Sequence, residues 1–191
     1  MKKCLAASLL ALSASATAGE YTPFIAVDFA TETDTLHNDY LSTSLAVGLK
    51  APGQMEYAAR IGVSEKESDT HTRNVETRVK KSFDVGLSVS PYVALRLGQR
   101  TGNRDKSSFT HWAADAGLRV PIANQLALDI GIRYRDAFRD TINYQSTRYH
   151  IAALYALDKT HVVGLRYNTS TSRNRPEEER DGWRVTYQRN F

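Results

Sequence analysis

The chain of 191 residues carries 25 Lys and Arg against 21 Asp and Glu, a formal charge of +4, with a mean hydropathy of −0.44. A helical membrane bundle is excluded, because it needs repeated apolar stretches of about 20 residues and the longest apolar run after residue 18 is 151–157. Long disorder is excluded as well, since Val, Leu, Ile and Tyr recur at even spacing throughout.

Residues 1–18 read as a secretory signal peptide. Lys2 and Lys3 supply the positive start, residues 5–16 the short apolar region, and Ala16, Thr17 and Ala18 a small-residue cleavage site before Gly19. Cys4 precedes the apolar region, so it is not a lipoprotein acylation site. Cleavage removes this only cysteine and leaves a mature chain without disulfides or thiols. Loss of Lys2 and Lys3 takes the net charge to +2, a weak argument for nucleic acid, and no nucleic-acid partner is expected. The basic residues are 17 Arg and only 8 Lys, and arginine is preferred where a guanidinium must hold fixed geometry against carboxylate or phosphate.

From Tyr21 onward the period is two, the signature of strands whose faces meet different environments. Ten segments follow in order, near 21–30, 40–50, 55–64, 72–82, 87–99, 109–120, 125–135, 146–156, 160–169 and 182–191. Short connections (51–54, 83–86, 121–124, 157–159) alternate with longer polar ones (31–39, 65–71, 100–108, 136–145, 170–181). That alternation predicts an all-β, antiparallel up-and-down barrel with tight turns at one end and loops at the other. About ten strands are expected over 19–191, with eight or twelve as the alternatives.

A soluble barrel and a transmembrane barrel share this pattern, one with its apolar face inward and the other with it outward. Three features favour the membrane form. Twelve of the 18 aromatics fall on the apolar face, namely Tyr21, Phe29, Tyr57, Phe83, Trp112, Tyr134, Tyr149, Tyr155, Tyr167, Trp183, Tyr187 and Phe191. Many lie near strand ends, where an interfacial girdle belongs. The polar face carries an arginine on most strands. The chain ends on Phe191 after an alternating tail, which looks like the signal read by the outer-membrane assembly machinery. The expected location is therefore the bacterial outer membrane, with its lipid and lipopolysaccharide as surroundings, and a monomer.

With the apolar face outward, nine arginines point into the lumen: Arg60, Arg78, Arg96, Arg119, Arg133, Arg135, Arg148, Arg166 and Arg184. Lys50 and Lys80 join them by parity, against Asp28, Glu56, Glu76, Asp115 and Asp129. Eleven cations thus face five carboxylates. Buried charges must be paired or solvated, so the interior is either a structural network that plugs the barrel or a narrow wet pore whose arginine ladder attracts anions. The unpaired positive excess favours the pore.

The run 131–135 (Gly-Ile-Arg-Tyr-Arg), a polar loop, then 149–155 (Tyr-His-Ile-Ala-Ala-Leu-Tyr) and 163–167 (Val-Gly-Leu-Arg-Tyr) resembles the oligogalacturonate-specific monomeric porins. The likeness covers mainly 125–191, and ten segments fall below the twelve strands of that family. It implies a small arginine-lined outer-membrane barrel that passes acidic oligosaccharides, with Arg133, Arg135 and Arg166 as candidate solute contacts.

Two other functions remain in play. A barrel hydrolase would draw on His111 and Asp115, with His150 on the same side and Ser42 or Ser44 as undistinguished nucleophiles. Positions i and i+4 on a strand are about 13 Å apart, so His111 and Asp115 cannot bond directly. No serine elbow, zinc-ligand helix, phosphate loop or calcium loop is present, and neither a cofactor, a metal nor enzymatic activity is expected. A structural or adhesive barrel would act through its loops. The most distinctive is 170–181, with Arg173, Arg175, Pro176 and the charge run from Glu177 to Asp181.

Overall fold

The computed structural model describes residues 21–66, 70–86, 88–102, 108–138, 144–173 and 179–191. Ten antiparallel strands are found among them: β1 (Thr22–Asp34), β2 (Asp39–Ala51), β3 (Met55–Lys66), β4 (Thr70–Ser82), β5 (Ser90–Gly102), β6 (Phe109–Ala123), β7 (Leu126–Ala137), β8 (Gln145–Ala156), β9 (His161–Ser172) and β10 (Arg180–Asn190). Each pairs with its sequence neighbours, and β1 pairs with β10, so the sheet closes on itself and leaves no free edge. Closure lets every strand satisfy its backbone groups without water, the condition for crossing lipid.

Parity sets the faces as the alternation predicts. Ile25, Phe29, Ile61, Leu95, Leu97, Ile130, Ile151, Leu165 and Trp183 project outward and are exposed, while Asp28, Glu76, Arg96, Asp115 and Asp129 on the opposite parity are buried. A soluble barrel would invert this distribution. Outward apolar rows over a polar, charged interior are the outer-membrane architecture.

All ten segments are present, but the loop-end bounds differ from the reading of the sequence. The strands continue into the stretches read as loops, β1 to Asp34, β5 to Gly102, β7 to Ala137 and β9 to Ser172, with β4 beginning at Thr70 and β10 at Arg180. Once the outward face rises above the hydrocarbon it no longer needs apolar residues, so the period fades although the ladder continues. At the other end β5 begins at Ser90, later than the sequence reading placed it. Asp84 accepts a hydrogen bond from the Gly86 amide at 3.0 Å, and Gly86 sits at φ +69°. The turn after β2 is a 3₁₀ turn, Pro52–Gln54, in which Gly53 takes φ +68°. Among the described residues the one register shift lies in β6 between Pro121 and Ala123, where proline has no N–H to give the ladder. The segment at 1–18 lies outside the described residues, as do 174–178 of the charged loop, and with them Arg175, Pro176, Glu177 and Glu178.

Little of the interior is apolar. Phe24, Ala26 and Ala46 form one small cluster near the short-turn end, and Phe109, Ala137 and Tyr144 another near the loop end. Between them the lumen is filled by charged side chains.

Candidate functional site: the charged lumen

The strand register determines which charges meet. Glu76 on β4, Arg96 on β5, Asp115 on β6 and Arg133 on β7 form a belt at mid-height. The Arg96 guanidinium donates from Nη1 to Glu76 Oε1 and from Nε to Asp115 Oδ2, both at 2.5 Å, and Arg133 Nε donates to Asp115 Oδ1 at 2.6 Å. These side chains are 3–11% exposed, so the pairs are desolvated. Arg135 approaches Glu76 at 3.8 Å.

The other predicted arginines also have carboxylate neighbours. Arg60 reaches Asp28 at 2.9 Å and Arg78 pairs with Glu56. Arg119 lies 3.2 Å from Asp129 and Arg166 4.0 Å from it. Arg148 and Arg184 both turn to Glu32, at 3.0 and 3.8 Å. All nine arginines therefore sit within 4.0 Å of a carboxylate, so the positive excess expected from the sequence does not take the form of unpaired arginines. The balance changes because Glu32 belongs to the lumen. The sequence reading assigned it to a loop, whereas β1 runs past it. Glu32 joins the five carboxylates read from the sequence, yet cations still outnumber carboxylates, and the excess survives through sharing rather than through isolated charges. At the loop end Arg100 and Arg180 also line the interior, the Arg180 guanidinium stacked 3.6 Å from the Tyr40 ring centroid.

The histidines obey the spacing along the strand. His111 does not touch Asp115. It is fully buried, lies against Gly98, where a Cβ would come within 2.7 Å of the ring, and approaches Glu76 at 3.7 Å with neither ring nitrogen hydrogen-bonded. The histidine–carboxylate contact is instead His150 Nε2 to Asp129 Oδ1, 2.8 Å, and Tyr92 Oη donates to the same oxygen at 2.9 Å.

A glycine pair makes this cluster. Tyr92, Gly117, Gly131 and His150 are successive cross-strand partners from β5 to β8. The two large side chains lie over the two glycines: a Cβ at Gly117 would stand 2.5 Å from Tyr92 Oη, and one at Gly131 2.6 Å from His150 Cε1. Sequence reasoning missed this row, although a Gly on two adjacent polar faces signals such close approach. Ser44 Oγ donates to Asp28 and Ser42 Oγ to Ser64 Oγ, both at 2.9 Å, so each candidate nucleophile is engaged in a structural bond. Among the described residues no group of three or more His, Cys, Asp and Glu side chains could hold a metal ion.

Space remains on both sides of the belt. A cavity of about 180 Å³ reaches toward the short turns, lined by Lys50, Glu56, Lys80, Tyr92, Arg119 and Gln188 among others. A second of about 140 Å³ opens on the loop side, with Glu32, Asn74, Arg100, Arg148 and Arg180. A third of about 60 Å³ lies beside it, lined by Arg133, Arg135, Tyr144 and Ser146 among others. Asp28, Arg60, Arg133 and Arg184 line both larger spaces.

No family model and no curated protein matches the chain. Solved structures do. The NanC porin is 10% identical, with a TM-score of 0.54 over 87% of this chain and 100% of that one. The translocator domain of the autotransporter NalP from Neisseria meningitidis is 11% identical, with a TM-score of 0.53 over 96% and 93%. The KdgM porin, solved in complex with disordered oligogalacturonate, is 11% identical, with a TM-score of 0.44 over 87% and 99%. At such identities the likeness is one of fold: this chain is an outer-membrane-type β-barrel built like small porins and translocator domains.

Proposed function

We propose that the barrel is a narrow porin-like channel for small anionic solutes, acting without catalysis, cofactor or metal. The observation that carries this reading is the positive excess of the lumen, whose cations outnumber its carboxylates, with cavities on both sides of the Arg96 belt. A low-dielectric wall focuses the field of that excess along the axis. Arg60, Arg78, Arg96, Arg119, Arg133, Arg135, Arg148, Arg166 and Arg184 are its solute-facing residues. Acidic oligosaccharides are the solutes suggested by the resemblance at 125–191. Cleavage after Ala18 would deliver the chain to the periplasm. Phe191, exposed beside the Arg189 guanidinium, would present the tail to the assembly machinery.

Planar-bilayer recording tests this. Folded protein should form small anion-selective channels whose selectivity weakens as salt rises and shortens the Debye length. Replacing Arg133 and Arg135 by Glu should move the reversal potential toward cations, and acidic oligosaccharides should block more than neutral ones of equal length. Absence of conductance from heat-modifiable, folded barrels removes the channel.

One observation favours a second reading. Because each of the nine arginines has a carboxylate within 4.0 Å, the same lumen serves a non-conducting structural or adhesive barrel whose partners meet its loops. A folded but silent barrel would select it.

A further inference from the structure

The cavity toward the short turns holds cations that the ion-pair network does not absorb. Lys50, Glu56 and Lys80 are direct cross-strand neighbours on β2, β3 and β4. Glu56, the carboxylate between the two lysines, is engaged by Arg78. Lys50 Nζ donates to the neutral Asn190 Oδ1 at 2.8 Å. Lys80 is 91% buried, with Nζ 4.2 Å from the Tyr92 ring centroid. Among the described residues neither Nζ has a carboxylate oxygen within 4.0 Å. Glu56 attracts both lysines only at longer range, and Arg119, on β6, repels both and lines the same space.

The remaining carboxylates of this cavity are committed elsewhere. Asp28 accepts from Ser44, Thr186 and Arg60, Asp115 from Arg96 and Arg133, and Asp129 from Tyr92 and Arg119. An ammonium held nine-tenths out of water without an anionic partner is costly. That ammonium, with the half-buried Lys50 and a guanidinium around about 180 Å³ of space, is complementary to one compact, doubly charged acceptor.

We propose that this turn-end cavity is a binding site for a phosphate dianion, free or as a small monoester, held by Lys50 and Lys80 with Arg119 beside them. Tetrahedral phosphate offers acceptor oxygens in several directions at once, which matches donors arriving from three strands. Lysine serves phosphate as a point charge, without needing a fork geometry. The site faces the short turns and does not depend on conduction through the belt.

Isothermal titration of the folded barrel in detergent micelles tests it, with inorganic phosphate in one arm, glycerol phosphate in a second and acetate in a third, at matched ionic strength. Phosphate should bind saturably with one site per barrel. If the monoester binds as well, the site takes phosphorylated solutes; if only inorganic phosphate binds, it takes the free ion. Kd should rise at least tenfold in Lys80→Met and in Lys50→Gln, and stay unchanged in Lys159→Gln, an exposed turn lysine. Should Lys80→Met fail to fold, Lys50→Gln at the open end decides. Absence of saturable binding, an unchanged Kd in the lysine variants, or acetate binding as tightly as phosphate overturns the proposal. Conductance without phosphate binding sinks this site alone, and phosphate binding without conductance sinks the channel alone.

Discussion

Breaking the mid-lumen belt at one bond measures how far the interior holds the barrel together. Arg96 donates two charge-assisted bonds of 2.5 Å, to Glu76 and Asp115, and all three side chains are 3–7% exposed. Bonds to charged groups contribute about 1.5–3 kcal/mol each. Breaking a buried pair by removing one partner costs about 3–5 kcal/mol when the other is stranded. Neither carboxylate is stranded here, because Asp115 keeps Arg133 at 2.6 Å and Glu76 keeps Arg135 at 3.8 Å. Arg96→Met should therefore cost about 3 kcal/mol, at the lower edge of that range. In a double-mutant cycle with Asp115→Asn, the coupling should be about 1.5–3 kcal/mol. The assay is equilibrium urea unfolding of the barrel in lipid vesicles, followed by Trp112 and Trp183 fluorescence. Effects that add to within about 0.5 kcal/mol would refute the argument, and the belt would then be a bystander to stability.

Ile130 is 48% exposed on the lipid side, and Arg133 points into the lumen. Ile130→Arg should lose about 2–4 kcal/mol of stability, well beyond Arg166→Gln on the same lumen wall, where the nearest carboxylate is 4.0 Å away, and equal sensitivity at these two sites in the same urea assay would invert the faces. Gly131→Ala should expel His150 from Asp129, at about 1–3 kcal/mol for overpacking. The change is visible as altered His150 ring signals in NMR, and an unperturbed ring would mean that the row tolerates the added methyl. In the turn 157–160, hydrogen bonds from Thr160 and His161 hold the Asp158 carboxyl below the usual carboxylate range. A depressed folded value means the stabilisation is present above the ordinary carboxylate range and lost as pH falls through the lowered value. Amide exchange at Thr160 and His161, corrected for intrinsic rates, should accelerate only in strong acid. In Asp158→Asn that pH dependence should vanish, and an identical profile in both proteins would exclude the carboxylate as the cause.

The barrel was legible because lipid imposes its rule on every second residue. Wherever the outward face meets hydrocarbon, as at Leu126, Leu128, Ile130 and Ile132, the alternation marks both the strand and its facing. Above the membrane that rule lapses. Residues 31–34 and 100–102 are strand with no apolar signal, and the error at Glu32 followed directly from it. Parity also put the nine arginines on the face opposite the apolar rows. It could not choose partners, because these depend on register between strands: Arg148 meets Glu32 across 116 residues of sequence. His111 and Asp115 share a face, yet their contacts run around the barrel to β4, β5 and β7 rather than along β6. The glycines at 117 and 131 were readable as a hint of close approach, but only the register shows Tyr92 and His150 lying over them.

The seam between β1 and β10 separates this fold from a row of hairpins. Nine of the ten strand contacts join consecutive segments, so each closes a short loop, whereas the tenth joins Phe24 to Asn190 and Asp34 to Arg180. Loop-closure entropy scales as (3/2)RT ln n, so gathering a chain of this length costs about 4 kcal/mol, against about 1 kcal/mol for a four-residue turn. No subset of strands escapes that toll within lipid, because any open sheet exposes unpaired edges to hydrocarbon. The first strand synthesised must wait for the last. Truncation from either end removes one side of this seam, and the Phe191 amide, bonded to the Pro23 carbonyl at 2.9 Å, is one of the links that would be lost.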